Sequence, residues 1–306
     1  MRYCGSVHAD GGLRRYAPNP PYGFNLWSLQ WLLVALLLST VAGSAFAQGD
    51  AQRGQYLAKA GGCVGCHTIE NGPNFAGGRA LKTPFGIFYG PNITPHPEQG
   101  IGRWSEADFM RAMRFGERPD GAHYFPAFPY PSFTRLSDGD VRDLWAYLGA
   151  LPPSSRANKP HELRFPFGWR SLVSIWKWLF FKPGPATNDL TQPVKRGAYL
   201  VEALGHCGEC HTPRNFLGGT KRERLLAGGK TPDGKRIPNL TPTRLKKWDD
   251  QELKEFLQTG LTPDGDVASE VMGEVIRNST SQLTPEDLVA LVAYLRALAP
   301  LADEPR

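Results

Sequence analysis

The sequence predicts a mostly α-helical protein built from two tandem copies of one unit of about 100 residues. Three observations carry this prediction. The pattern Cys-x-x-Cys-His occurs at 63–67 and again at 207–211, with similar residues in the same order around each copy. Matching helix-start signals follow each copy. The sequence shows no alternation of apolar and polar residues of the kind that indicates a strand.

The first 47 residues are expected to be a secretory signal peptide. Residues 16–49 carry no Lys, Arg, Asp or Glu, and two arginines precede them. The apolar run at 31–38 leads to Ala-Phe-Ala at 45–47, a small-x-small cleavage pattern. Cleavage after this pattern is expected. The alternative is an uncleaved membrane anchor, for which the apolar run is shorter than the roughly 20 residues of a membrane span.

The composition is that of a globular protein with a mild positive charge. Hydrophobic residues make up 41% and charged residues 21%, which permits a sizeable core and argues against global disorder. The net charge of +6 is dispersed without a basic stripe, so no nucleic-acid partner is expected. Five cysteines are too few for a disulfide scaffold.

Each Cys-x-x-Cys-His copy is the attachment pattern of a c-type haem. Two thiols one helical turn apart can add across the two vinyl groups of one haem, and the histidine that follows becomes the proximal iron ligand. A single copy of the pattern could instead be a redox dithiol or half of a zinc site. Two copies in the exported part of the chain favour haem. The sequence therefore predicts two covalently bound c-type haems. The predicted sets are Cys63, Cys66 and His67, and Cys207, Cys210 and His211.

The resemblance between the copies extends along the surrounding chain. The matched runs are Arg-Gly-x-Tyr-Leu at 53–57 and 196–200, Phe-x-Gly-Gly at 75–78 and 216–219, Pro-Asn-Ile/Leu-Thr-Pro at 91–95 and 238–242, and Ala-Tyr-Leu at 146–148 and 293–295. These matches predict four segments. They are a signal peptide at 1–47, a first c-type cytochrome domain at 48–151, an aromatic-rich linker at 152–195 and a second such domain at 196–306.

Four pairs of an N-cap residue and an acidic residue three positions later predict helix starts. They are Ser105 with Asp108, Ser137 with Asp140, Asp249 with Glu252, and Thr284 with Asp287. Pro285 suits the first position of the last helix, and apolar residues at 288, 291, 292 and 295 form one face of it. We expect helices packed around each haem and long loops covering it.

The distal ligand is predicted from the methionines, the usual partners of His in electron-transfer cytochromes. Met272 lies in the predicted loop before the last helix and is the expected distal ligand of haem two, with core packing as the alternative. It stands 24 positions after Trp248. The same offset after Trp104 leads to Phe128, which cannot ligate iron.

Three interpretations are open for the distal side of haem one. The iron could be five-coordinate, with Phe128 closing an apolar pocket. His123 could be a substitute ligand, or else a loop histidine near a haem propionate. Met110 or Met113 could substitute, although both lie in the predicted helix after Ser105, where core packing is the simpler role.

The linker contains an aromatic run at 165–181 with three tryptophans and four phenylalanines. Arg170 and Lys177 interrupt the run, so it does not make a good membrane-spanning helix. An interfacial or docking segment is one interpretation. An interdomain core element is the favoured one, because a linker between two haem domains must cover apolar surface.

With these residues in view, the chain resembles the c-type cytochrome subunits of bacterial membrane-bound dehydrogenases for alcohols, gluconate and fructose. The resemblance covers nearly all of 50–300. It rests on Gly-Pro-Asn-Ile-Thr-Pro at 90–95, Tyr-Phe-Pro-Ala-Phe-Pro-Tyr-Pro-Ser-Phe at 124–133, Leu-Phe-Phe-Lys-Pro-Gly at 179–184 and Leu-Gly-His-Cys-Gly-Glu-Cys-His-Thr-Pro-Arg-Asn at 204–215. It implies two tandem class I cytochrome c-like domains, each wrapped around one covalent haem. Many members carry three haems, and the family motif has Met where Phe128 stands.

The resemblance also implies a role. Such a subunit takes electrons from a catalytic dehydrogenase subunit and passes them to quinone, a cytochrome or an oxidase. We therefore expect an exported dihaem electron carrier in the periplasm, associated with the cytoplasmic membrane through a peripheral contact. No catalytic residue is assigned, since the haem supplies the redox chemistry. The alternatives are a haem enzyme or gas- or peroxide-binding protein with an open haem one, and a freely soluble carrier.

Overall fold

The computed structural model describes residues 49–187 and 189–303; the predicted signal peptide lies outside them. The helices are α1 (Ala51–Ala60), α2 (Cys63–His67), α3 (Glu106–Phe115), α4 (Tyr130–Phe133), α5 (Asp138–Gly149), α6 (Ser171–Phe180), α7 (Pro193–Ala198), α8 (Gly208–His211), α9 (Pro242–Leu245), α10 (Asp250–Thr259), α11 (Glu270–Asn278) and α12 (Pro285–Ala297). A π-helix at Tyr199–Leu204 continues α7, and short 3₁₀ turns lie at Arg222–Arg224 and Thr280–Gln282.

The predicted helix starts are confirmed. Ser105 accepts a hydrogen bond from the backbone N–H of Asp108, whose carboxylate in turn accepts from the backbone N–H of Ser105, so α3 opens with a capping box. Gly116 ends α3 in the left-handed conformation, which glycine adopts without strain. The other predicted N-caps that hold are Ser137, Asp249 and Thr284.

The Arg-Gly-x-Tyr-Leu runs mark the places where two helix pairs cross closely. In the first repeat α1 packs on α5, and in the second α7 packs on α12. A Cβ at Gly54 would overlap the backbone carbonyl of Asp143, and a Cβ at Gly197 would overlap that of Ala290. Glycine is therefore required at both positions for the helices to approach this closely.

The two repeats share one hydrophobic core. Leu57 and Leu144 of the first repeat belong to the same buried cluster as Leu204 and Leu291 of the second, and each is less than a twentieth exposed. In the second repeat, the π-helix and α12 each contribute five buried side chains to this cluster. The part of the chain after the predicted signal accordingly forms one compact unit.

In the described part of the chain, five short strands accompany the helices, and the sequence did not predict them. Strands β1 (Ala80–Thr83) and β2 (Gly86–Tyr89) form an antiparallel hairpin, to which β3 (Glu162–Leu163) adds along β2. Strands β4 (Gly229–Lys230) and β5 (Arg236–Ile237) pair antiparallel. Runs of two to four residues are too short to show the alternation by which a strand is recognised.

The linker helix α6 does not form the interdomain core that was expected from its sequence. Only Val173 of α6 is buried, against Phe88 and Phe125. Trp178 is 82% exposed and Phe165, just before the helix, is 79% exposed. Within the described residues, no helix has the length and apolar character that crossing a membrane requires.

Candidate functional site

The two predicted iron-binding histidines have the same local geometry. Nδ1 of His67, at the end of α2, lies 2.8 Å from the carbonyl oxygen of Pro91. Nδ1 of His211, at the end of α8, lies 2.7 Å from that of Pro238. An Nδ1–H that donates to a carbonyl leaves the lone pair on Nε2 free for a metal, as is usual for a ligating histidine.

A buried turn holds each of these proline carbonyls in place. Oδ1 of Asn92 accepts hydrogen bonds from the backbone N–H (3.0 Å) and hydroxyl (2.7 Å) of Thr94. Asn239 and Thr241 repeat this turn, with both distances at 2.7 Å. The sequence showed the repeated Pro-Asn-x-Thr-Pro run, but its role as the support of the histidine was not predicted.

A second repeated turn closes over each histidine. The hydroxyl of Thr68 accepts from the N–H of Phe75 (2.9 Å), and Thr212 accepts from the N–H of Leu226 (3.0 Å). Phe75 and Leu226 are both left-handed, at φ 62° and 60°. The following turn brings a glycine N–H onto the carbonyl of His67 in one repeat and of His211 in the other.

The predicted match of 75–78 with 216–219 is therefore wrong. The counterpart of the Phe-x-Gly-Gly run is Leu226-Ala-Gly-Gly, at 226–229. Phe75 follows His67 by eight positions, but Leu226 follows His211 by fifteen. This seven-residue insertion carries a chance Phe-x-Gly-Gly sequence that sequence comparison mistook for the repeat.

The four cysteines of the two patterns are free thiols. Burial raises the pKa of Cys63 and of Cys207 to about 12. Burial also raises the pKa of Cys66 and of Cys210. A reactive redox dithiol needs a thiolate near neutral pH, so the raised pKa values disfavour that alternative. Within the described residues, no group of three or more His, Cys, Asp or Glu side chains is placed to hold a metal ion, which disfavours zinc.

Each site fits a c-type haem. Two free thiols one helical turn apart stand beside a histidine whose Nε2 has no hydrogen bond from the described residues. Burial lowers the pKa of His67 and of His211, which keeps the imidazoles in the neutral form that a metal needs. The cysteines would hold the haem covalently and the histidines would supply the proximal nitrogen.

The predicted distal ligand of the second site, Met272, lies in a helix rather than in a loop. Ser269 caps α11 by accepting a hydrogen bond from the backbone N–H of Met272 (3.4 Å), which places the methionine in the first turn. Its side chain is half-buried. Helix α11 packs on α2 of the other repeat, where Glu274 forms an ion pair of 2.7 Å with Arg79.

Phe128 lies in an aromatic cluster on the matching segment of the first repeat. Its ring packs edge-on against Tyr124 (centroids 5.5 Å apart) and Phe133 (5.7 Å). Phe133 in turn contacts the imidazole of His206, the residue before Cys207, at 5.5 Å. Ring contacts from Phe128 through Phe133 to His206 thus connect the predicted distal position of site one with the attachment segment of site two.

His123 is held by the linker helix. Its Nδ1 lies 3.0 Å from the Nζ of Lys177, and its carbonyl accepts from Arg170 at 2.9 Å. Burial, followed by the charge of Lys177, lowers the pKa of His123. A neutral imidazole that accepts at Nδ1 carries its proton on Nε2 and offers no lone pair there. This arrangement disfavours His123 as an iron ligand.

Met110 and Met113 lie three positions apart on α3, and both pack against the shared core. Met113 is 7% exposed and belongs to the shared core, which is the simpler of the two roles expected from its position in a helix. Met110 lines an open surface cleft with Glu106 and Arg142. The structure thus supports neither as a substitute ligand.

The two sites lie close together, each covered by the other repeat. Helix α11 packs on α2, and α4 packs on the π-helix that precedes Cys207. Ser132 of α4 donates to the Glu209 carboxylate beside Cys210, at 3.2 Å. Burial is the main cause of the raised pKa of Cys66, and the nearby Glu274 and Cys210 add to it.

Comparison with known proteins gives matches along most of the chain. The family model described as "Cytochrome c" matches residues 51–152. A "Diheme cytochrome c-type" protein of Cereibacter sphaeroides is 48% identical over 81% of this chain and 86% of its own length.

Two further relatives are larger proteins. The "Gluconate 2-dehydrogenase cytochrome c subunit" of Pantoea cypripedii is 38% identical over 87% of this chain and 64% of its own. The "Alcohol dehydrogenase (quinone), cytochrome c subunit" of Gluconacetobacter polyoxogenes is 37% identical over 87% and 61%. This chain therefore spans somewhat more than six tenths of the length of these two subunits.

Proposed function

Because this chain belongs to the family of c-type cytochromes that includes a dihaem cytochrome and the cytochrome c subunits of bacterial dehydrogenases, we propose that it is a dihaem electron-transfer subunit. Its two repeats, at 48–151 and 196–306, would each be a class I cytochrome c-like domain around one haem. The duplicated geometry of free thiols and a carbonyl-oriented histidine carries this proposal.

When bound, the haems supply reversible one-electron redox chemistry. The chain's own residues attach, orient and protect the two sites. The carbonyls of Pro91 and Pro238 fix the tautomer and ring orientation of the proximal histidines. Met272 is the candidate for the distal position of site two. The contacts of α4 and α11 across the repeats hold the sites in one fixed relation.

The proposed partners follow from the names of the relatives. A catalytic dehydrogenase subunit would supply electrons, and quinone, a cytochrome or an oxidase would receive them. We further propose that 1–47 directs export, so that the protein works in the periplasm at the cytoplasmic membrane. A signal removed after residue 47 would leave both cysteine pairs in the oxidising compartment where such haems are attached.

The residues around the first site support a second candidate function, which is the binding of a gas or of peroxide. Phe128 occupies the position matching Met272, and His123 is engaged with Lys177 and Arg170. Site one would then be five-coordinate, with an open position on an apolar side. The same site could also serve as a relay with an altered potential.

The test follows haem absorbance in membranes that contain the full chain loaded with haem. Alcohols, gluconate and fructose are added one at a time, and a soluble quinone is added after reduction. The proposal predicts that one substrate reduces both haems and that quinone reoxidises them. No reduction by any dehydrogenase, and no dehydrogenase co-purifying, would contradict it. Rapid peroxide turnover by the purified protein would favour the second candidate.

A further inference from the structure

An exposed aromatic face covers the outside of the linker. We name it the linker face; its members are Phe165, Phe167, Trp169, Ile175, Trp178 and Leu179. Their exposed fractions range from 38% for Phe167 to 82% for Trp178. Three of them, Ile175, Trp178 and Leu179, recur at the spacing of one helix face. So many large apolar side chains grouped in water mark a contact surface.

The two charged side chains within the aromatic run, Arg170 and Lys177, are instead engaged with the body of the protein. Lys177 is only 11% exposed, and its Nζ donates to the carbonyl of Phe115 at 2.7 Å. It also forms an ion pair of 3.5 Å with Glu117. Arg170 lies 4.9 Å from the ring centroid of Phe125 and donates to His123. Because these cations are partnered on the body of the protein, they fix α6 with its uncharged face outward.

The second repeat extends the linker face. The indole N–H of Trp176 donates to the carbonyl of Leu217 at 3.0 Å, which ties α6 to the loop of the seven-residue insertion. Phe216 at the tip of this loop is 87% exposed, and Leu217 is 37% exposed. The apolar surface is thus built from two separate segments held together by a hydrogen bond.

The charges on either side of the linker face indicate what kind of surface it contacts. No acidic residue lies between Glu162 and Asp189, and the four charged residues in that interval are basic. Two of these, Arg164 and Lys182, are exposed, one at each end of the aromatic run. Tryptophan and phenylalanine flanked by basic residues suit the headgroup region of an anionic bilayer.

We infer that the linker face, with Phe216 and Leu217, inserts into the interfacial layer of an anionic membrane without crossing it. This inference rests on the proposed location at the membrane and names the surface that makes the contact. Through Lys177 and Arg170, α6 is anchored to the loop that carries His123 and leads to Phe128. Insertion would therefore bring the first site toward the lipid.

The test measures how much of the full, haem-loaded chain co-sediments with lipid vesicles. One set contains phosphatidylglycerol and phosphatidylcholine, the other phosphatidylcholine alone. The variant I175S/W178S/L179S removes the centre of the linker face. The matched control V267S/V271S/V289S changes three valines of the second repeat that are 50–67% exposed. Haem absorbance and the thermal midpoint confirm that each variant is folded.

We expect wild type and control to bind the anionic vesicles, and the linker-face variant to bind at least about ten-fold more weakly. Binding should weaken in high salt and with phosphatidylcholine alone. A nitroxide at Ser174→Cys, on the same face, should become accessible to lipid-dissolved oxygen when vesicles are added. This local readout reports the linker face even if an uncleaved N-terminus also binds lipid.

Two results would overturn the inference. In one, the linker-face variant binds as wild type does and the Ser174 label stays in water. In the other, the variant loses self-association or dehydrogenase co-purification instead, which would identify a protein interface. Vesicle binding requires no electron transfer, so failure of substrate-driven haem reduction leaves this result unaffected and contradicts only the proposed function.

Discussion

The hydroxyl of Tyr56 donates a hydrogen bond of 2.5 Å to Oδ2 of Asp287, 231 positions later in the chain. In the equivalent contact, the hydroxyl of Tyr199 in the second repeat donates a hydrogen bond to Asp140 in the first. Each aspartate also forms an ion pair with the arginine of its own repeat; the two pairs are Arg53 with Asp140 (2.9 Å) and Arg196 with Asp287 (2.7 Å). The repeats therefore exchange equivalent tyrosines across their interface, which fixes the two candidate haem sites relative to each other.

Removing one exchanged hydroxyl should destabilise the whole molecule. We expect Tyr56→Phe and Tyr199→Phe each to lower the free energy of unfolding by about 1.5–3 kcal/mol, the usual worth of a hydrogen bond to a charged group. Denaturant unfolding of the haem-loaded protein measures this. Tyr89→Phe is the matched control, because its hydroxyl donates to Glu162 on the surface. Equal effects from all three variants would refute the structural role of the exchange.

Acid should weaken the same interface through Asp287. Burial acts to raise the pKa of this carboxyl, but hydrogen bonds from Arg196 and Tyr56 outweigh it, so the pKa lies below the ordinary 3.8. A carboxyl with a depressed folded-state pKa stabilises the protein above its unfolded-state pKa, and this stabilisation is lost as pH falls through the folded value.

We therefore expect the free energy of unfolding to fall below about pH 4 and Asp287→Asn to flatten that fall. Denaturant unfolding between pH 3 and 6 tests this, with the exposed Asp264→Asn as the control. The same pH dependence in D287N and wild type would show that another group is responsible.

Carbon monoxide should distinguish the two sites. We expect it to bind one of the two haems in the reduced protein, at the Phe128 site. Met272→Leu, which keeps the side-chain volume, should open the second haem. Phe128→Met should close the first by offering a thioether ligand. Optical spectra before and after carbon monoxide measure both fractions. Binding at neither site in wild type would show that another side chain fills the first.

Gly90 should be essential to the first site. A Cβ there would overlap the backbone carbonyl of Cys66. We expect Gly90→Ala to lower the free energy of unfolding by about 1–3 kcal/mol and to reduce covalent haem at site one. Gly149→Ala, where a Cβ meets nothing within 4 Å, serves as the control. Normal haem content and stability in G90A would show that the hairpin tolerates a shift away from α2.

The local parts of this structure were predictable from sequence because their signals are local. N-caps such as Ser105 satisfy backbone N–H groups within three residues, and the capping geometry follows directly. The histidine sites also follow from short patterns. The repeat around Gly77 was misassigned because the second copy inserts seven residues before its counterpart, Gly228.

The relations between distant segments were not predictable in this way. Tyr56 and Tyr199 were recognised as repeated residues, but nothing in their spacing says that each bonds the aspartate of the other repeat. The outward orientation of α6 likewise depends on what Lys177 meets on the body of the protein. A pattern of aromatic residues cannot distinguish a face turned to the core from one turned to solvent.

The mass and haem content of the isolated protein test most directly whether the chain carries two haems. We expect two covalent haems per chain. The double variants Cys63→Ala/Cys66→Ala and Cys207→Ala/Cys210→Ala should each retain one haem, on the remaining cysteine pair. Pyridine haemochrome spectra combined with intact-protein mass spectrometry measure both the number and the attachment. A wild-type chain that carries no haem when produced with a working attachment pathway, or only one, would contradict the dihaem relay.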